Sequence, residues 1–72
     1  MYEVYSLTLV DFLEVGDLIQ FEGLVYLVDS SEYRESDDLW EIVGVEQEWE
    51  EPATFFIPDG HMVELVIWAE EE

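Results

Sequence analysis

Along this chain, apolar residues recur at every second position or in short blocks, and no segment holds the 3.6-residue spacing of a helix face. Residues 2–10 alternate between one set, Glu3, Tyr5, Leu7 and Leu9, and another, Tyr2, Val4, Ser6 and Thr8. Tyr, Val and Thr favour a pleated surface, so this stretch predicts a strand. Residues 11–17 predict a turn punctuated by Gly16-Asp17, and the nearest approach to a helical pattern is 8–15. Short strands follow at 18–21 and 24–29, joined by Glu22-Gly23 as a two-residue hairpin turn in which glycine supplies the positive φ. Residues 30–38 (Ser-Ser-Glu-Tyr-Arg-Glu-Ser-Asp-Asp) are poor in apolar side chains and predict a loop. A longer strand is expected over 40–49, bent at Gly44, where a strand glycine often marks a bulge. Glu51-Pro52-Ala53 predicts a turn, 54–57 a strand, Pro58-Asp59-Gly60 a further turn, and 61–68 the last strand, with 69–72 a frayed acidic tail.

Six or so short strands separated by turns imply an all-β fold, a small antiparallel barrel or rolled sheet. The run Leu13-Glu14-Val15-Gly16-Asp17-Leu18-Ile19-Gln20-Phe21-Glu22-Gly23-Leu24-Val25-Tyr26-Leu27-Val28 resembles the opening of SH3-like β-barrels, in which a Val-Gly-Asp turn precedes the first barrel strand and a tight hairpin leads to the second. Thr54 to Gly60 resembles the closing hairpin of the same fold. Small acidic phage-encoded proteins share this look. The resemblance spans roughly residues 13–68 and implies architecture more than activity.

Composition sets the scale. Seventy-two residues, half of them hydrophobic and eleven aromatic, make one domain with a single compact core. A chain this short buries a smaller share of its surface than a large one, and without cysteine neither disulfides nor thiolate metal sites supplement the core.

Charge changes the picture most. Twenty carboxylates face a single arginine, Arg34, for a net charge of -19. Such a surface repels nucleic acids and anionic membranes, and its self-repulsion opposes the compact state. Solubility alone is met by a net charge of magnitude roughly 2–8. The longest apolar runs are far too short to span a bilayer. With the non-basic start Met1-Tyr2-Glu3, they lead to an expected cytoplasmic site of action, the host cytoplasm for a phage-encoded chain.

Candidate chemistry is sparse. The lone His61 beside the Pro58-Asp59-Gly60 turn has no serine nearby in a nucleophile motif, so no enzyme activity is expected. The acidic stretch Asp29–Asp38 misses the calcium-loop pattern, with Arg34 where glycine and Trp40 where glutamate is required. No metal or other cofactor is expected.

The remaining pattern is the acidic one. Ten of the twenty carboxylates fall in residues 29–51. If 40–49 continues as a strand, Glu46, Glu48 and Glu50 form a row on one face at about 6.6–6.8 Å spacing, comparable to the phosphates of a DNA strand. Glu32, Glu35, Asp37 and Asp38 extend that row or form a second. The same alternation is also the ordinary solvent face of a half-buried strand. Trp49, set among Glu46, Glu48, Glu50 and Glu51, is the first candidate among the tryptophans for an exposed aromatic anchor, although a core position is the reading favoured for it.

The expected function is therefore that of a DNA mimic. Glu32, Glu35, Asp37, Asp38, Glu46, Glu48, Trp49, Glu50 and Glu51 would bind the basic surface of a nucleic-acid-binding protein and inhibit it by competition. The alternative is a structural or assembly protein whose acidity serves solubility or halophilic adaptation, with homo-oligomerisation through an apolar sheet face.

Overall fold

The computed structural model describes residues 2–69, with side chains from 4 to 67. It is all-β. Six strands, β1 (Tyr2–Leu9), β2 (Leu18–Phe21), β3 (Leu24–Arg34), β4 (Leu39–Glu46), β5 (Pro52–Pro58) and β6 (Met62–Ala69), form one antiparallel sheet in the order β1-β6-β2-β3-β4-β5. A single 3-10 turn, Val10–Phe12, occupies part of the segment nearest to helical periodicity.

The sheet is rolled. Only Asp59, Gly60 and His61 join β5 to β6, although four inter-strand steps separate these strands in the sheet. A flat sheet would hold them about 19 Å apart, whereas the chain from Pro58 to Met62 spans at most about 14 Å. Ring stacking gives the same answer. Phe21 of β2 and Phe55 of β5 lie with centroids 4.7 Å apart although two strands intervene, and Tyr26 meets Phe55 edge-on at 4.8 Å. Yet the roll does not close into a barrel: among the described residues no ladder joins β1 to β5, and both remain edges. Of the two expected forms, the rolled sheet is the one found.

The concave face holds the core: Val10, Leu13, Ile19, Val28, Ile42, Ile57 and Val63 are buried, with Phe21, Tyr26, Trp40, Phe55 and Leu65 packed against them. Alternation places these side chains on one face, and the sheet registers, such as Ile19 opposite both Tyr26 and Leu65, keep them there. The convex face is also partly apolar, with Leu7, Leu27, Phe56 and Met62 exposed.

Local chemistry explains the turns. Glu22 and Gly23 both take positive φ (50° and 82°), the conformation a two-residue hairpin requires to match strand twist. Several expectations need correction. Pro52 and Ala53, expected within a turn, begin β5. The segment 30–38 is not a loop: β3 continues to Arg34 and leaves only residues 35–38 as its turn, because Ser31 and Tyr33 pair with Ile42 and Trp40 of β4 on the core face. Nor is Gly44 the bulge residue. Asp29 on β3 is the extra one, between the pairs Val28–Gly44 and Ser30–Val43. Gly44 is the close-approach position opposite it, where an added Cβ would lie 3.2 Å from the Leu27 carbonyl oxygen and from the Tyr26 Cβ. At the far end β6 runs through Ala69, and the rest of the expected acidic tail, 70–72, lies outside the described residues.

Candidate functional site: an acidic turn around an exposed tryptophan

The strand expected over 40–49 stops at Glu46. Its end is set by that residue's own side chain. Glu46 is only 5 % exposed, and its carboxylate accepts hydrogen bonds from the backbone N–H groups of Glu48 (2.9 Å) and Trp49. Its backbone N–H donates to the Glu51 carbonyl at 2.8 Å, and Gln47 N–H donates to the Val25 carbonyl at 2.9 Å. Glu50 takes φ 55° and turns the chain back toward β5. A carboxylate that receives two N–H groups replaces much of the water lost on burial, which is why an acid is tolerated at this place in a molecule of net charge -19.

Three consequences follow for the expected binding residues. The row of Glu46, Glu48 and Glu50 does not exist, since alternation holds only within a strand, and here two of the three lie beyond its end. Glu46 itself is a buried clamp and presents no surface charge. Glu48, Trp49, Glu50 and Glu51 are all exposed, and Trp49 at 71 % is the most exposed large apolar side chain described. The indole thus stands among three carboxylates, on a turn held from below by a fourth.

Beside this turn runs an open groove of about 340 Å³, lined by Leu18, Gly23, Leu24, Val25, Glu46, Gln47 and Glu48. Composition did not point to it, because it forms only when the β2–β3 hairpin and the end of β4 are brought side by side.

The other expected acids do not join the turn. Glu32, Glu35, Asp37 and Asp38 are exposed, but they belong to the opposite end of the β3–β4 hairpin. Val25 and Arg34 are nine residues apart along β3, up to about 30 Å. That second end has its own order. The Tyr33 hydroxyl donates to Asp38, and the Trp40 indole N–H donates to Asp59 at 2.9 Å. The Asp38 bond, followed by partial desolvation and nearby carboxylates, pushes the Tyr33 phenol up to about 12. The indole bond, followed by a side-chain hydrogen bond with Asp11, holds Asp59 below the usual carboxylate range.

Arg34 is engaged within the chain. Its Nη1 lies 2.9 Å from Glu41, its Nε 3.9 Å from Asp37, and its guanidinium sits 6.0 Å from the centroid of Phe56. The placement answers a local need, because Glu32 and Glu41 are directly opposed in the β3–β4 register and repel. The acidic turn at 46–51 is left with no cationic side chain of its own.

No family model matches this chain, and no curated protein or solved structure matches it.

Proposed function

We propose that this protein is a binding protein that competes with nucleic acid for the basic surface of a nucleic-acid-binding partner. The observation that carries the reading is the turn at 46–51. A buried carboxylate fixes the backbone there so that Trp49 stands exposed among Glu48, Glu50 and Glu51. Exposing a tryptophan has a hydrophobic cost, whereas aromatic side chains at the centre of an interface often supply much of its affinity. The carboxylates would meet lysine and arginine side chains that otherwise hold phosphates. The net charge of -19 would draw such a partner in quickly and in a salt-sensitive way. Mimicry in this form rests on one compact acidic end and not on an extended row of strand carboxylates. The partner would be met in the cytoplasm, and the resemblance to small acidic phage proteins fits a role in a host cell.

The test is retention of lysate proteins on the tagged chain, elution with excess duplex DNA, and identification of what is released. A nucleic-acid-binding protein released by DNA is the expected result. It should be lost from a Trp49→Ala variant and from a Glu48→Gln, Glu50→Gln, Glu51→Gln variant. Glu46 is left intact in both, since changing it would disturb the turn itself. If DNA releases nothing, or if both variants retain the same protein, the reading is overturned.

A further inference from the structure

We infer that the outer edge of β1 is a pairing site for a second copy of this chain, joined antiparallel about a two-fold axis through the middle of the strand. The inference does not depend on the mimicry reading.

The two sheet edges are guarded differently. Edge strands commonly carry proline or charge, which stops their free N–H and C=O groups from templating another chain. β5 has proline at both ends, Pro52 and Pro58. β1 has no proline, and no charged residue from Val4 to Leu9. In a chain with twenty carboxylates that run is a gap in the repulsive field. It is one surface that two molecules of charge -19 can bring together without opposing acid to acid.

Along the gap Val4, Tyr5 and Leu7 are apolar and exposed, with the uncharged Ser6 and Thr8 between them. Leu7 is 65 % exposed on the convex face, where its β6 neighbour is Glu64, held by the Gln20 amide, with Met62 one pair further on opposite Leu9, and Val4 and Ile67 are exposed on the other face. A strand paired with its own copy keeps side chains of like parity on the same face, so the sum of paired residue numbers is even. An axis through Ser6 then sets Leu7 beside the other copy's Tyr5 and Val4 beside its Thr8. It puts Glu3 in register with Leu9, so that no carboxylate position opposes another. The contact is isologous and closed, which accounts for pairing that stops at two copies.

The repulsive bodies give the dimer a distinctive signature. Its affinity should rise with salt, since screening lengths fall from about 30 Å at 0.01 M to about 3 Å at 1 M. A complex with a basic partner weakens over the same range.

Sedimentation equilibrium across protein concentrations, at low and high sodium chloride, reads this directly. The expected result is a shift from 8.5 kDa toward twice that mass, favoured by salt. Leu7→Glu should weaken the dimer roughly tenfold or more, because the change enters a two-fold contact twice, and Leu7→Thr should weaken it less. Amide hydrogen exchange of the wild-type chain supplies a readout independent of any variant's folding: protection at residues 4–8 should rise with concentration. A monomer under all conditions overturns the proposal. So does a ladder of higher masses, a dimer indifferent to Leu7→Glu in a folded variant, or protection gained at β5 in place of β1. DNA-eluted capture by the 46–51 turn should be unchanged in Leu7→Glu, so failure of one reading is distinguishable from failure of the other.

Discussion

Glu46 shows how one side chain converts sequence pattern into surface. Its two carboxylate oxygens each receive a backbone N–H, from Glu48 and from Trp49. Glutamine offers one oxygen and an NH2 group in their place, so one N–H would face a donor. We expect Glu46→Gln to cost about 1–3 kcal/mol by urea unfolding, with increased mobility of the Trp49 indole in fluorescence anisotropy. Unchanged stability would mean that the turn is held by its backbone bonds alone. Tyr33 supplies a second test. The folded chain holds its phenol proton more tightly than the unfolded chain does, so the associated stability is complete below pH 10 and falls as pH rises toward about 12. Absorbance titration should show Tyr33 ionising late, and Asp38→Asn should return it toward the ordinary value.

The elements are decided by what each strand meets across the sheet. β3 illustrates this best. Its second half, Ser30 to Arg34, has the composition of a loop, but Tyr33 packs against Trp40 with ring centroids 5.3 Å apart, and the β4 ladder satisfies its backbone. The Asp29 bulge keeps the two halves of β3 in register with β4 on either side of Gly44. Gly44→Ala is therefore expected to destabilise by about 1–3 kcal/mol, since the new methyl group crowds both the Leu27 carbonyl and the Tyr26 Cβ of β3. An unchanged unfolding midpoint would show that the bulge relaxes at little cost. β1 and β5 have similar lengths and comparable apolar content, and differ in what guards their edges.

At the scale of the whole molecule, charge is the controlling quantity. The described ion pairs of the chain's one arginine lie at a single place, around Asp37 and Glu41, so nearly all the remaining carboxylates repel one another through solvent. Raising sodium chloride from 0.01 M to 0.5 M should therefore raise the melting temperature, by roughly 4–8 °C for each kcal/mol of relieved repulsion. Differential scanning calorimetry on dilute protein would separate this from dimer formation, which depends on concentration. A melting temperature flat in salt would mean that the folded chain disperses its charge as well as the unfolded one does.

The sequence by itself determined the all-β class, the strands 18–21 and 61–68 to within a residue, and the Glu22-Gly23 hairpin. These depend on local alternation and on turn residues whose conformational demands are met within a few positions. It also determined the acidity and the unusual setting of Trp49. Only the tertiary structure decided the rest. Whether 40–49 stayed extended depended on a carboxylate folding back onto its own chain. Whether 30–34 became strand depended on β4 lying alongside. The separation of the two acidic ends followed from the length of the hairpin between them. Among the described residues the rolled but open sheet leaves the outer edge of β1 without a ladder, because closure depends on contacts between residues distant in the chain, and no local pattern carries that information.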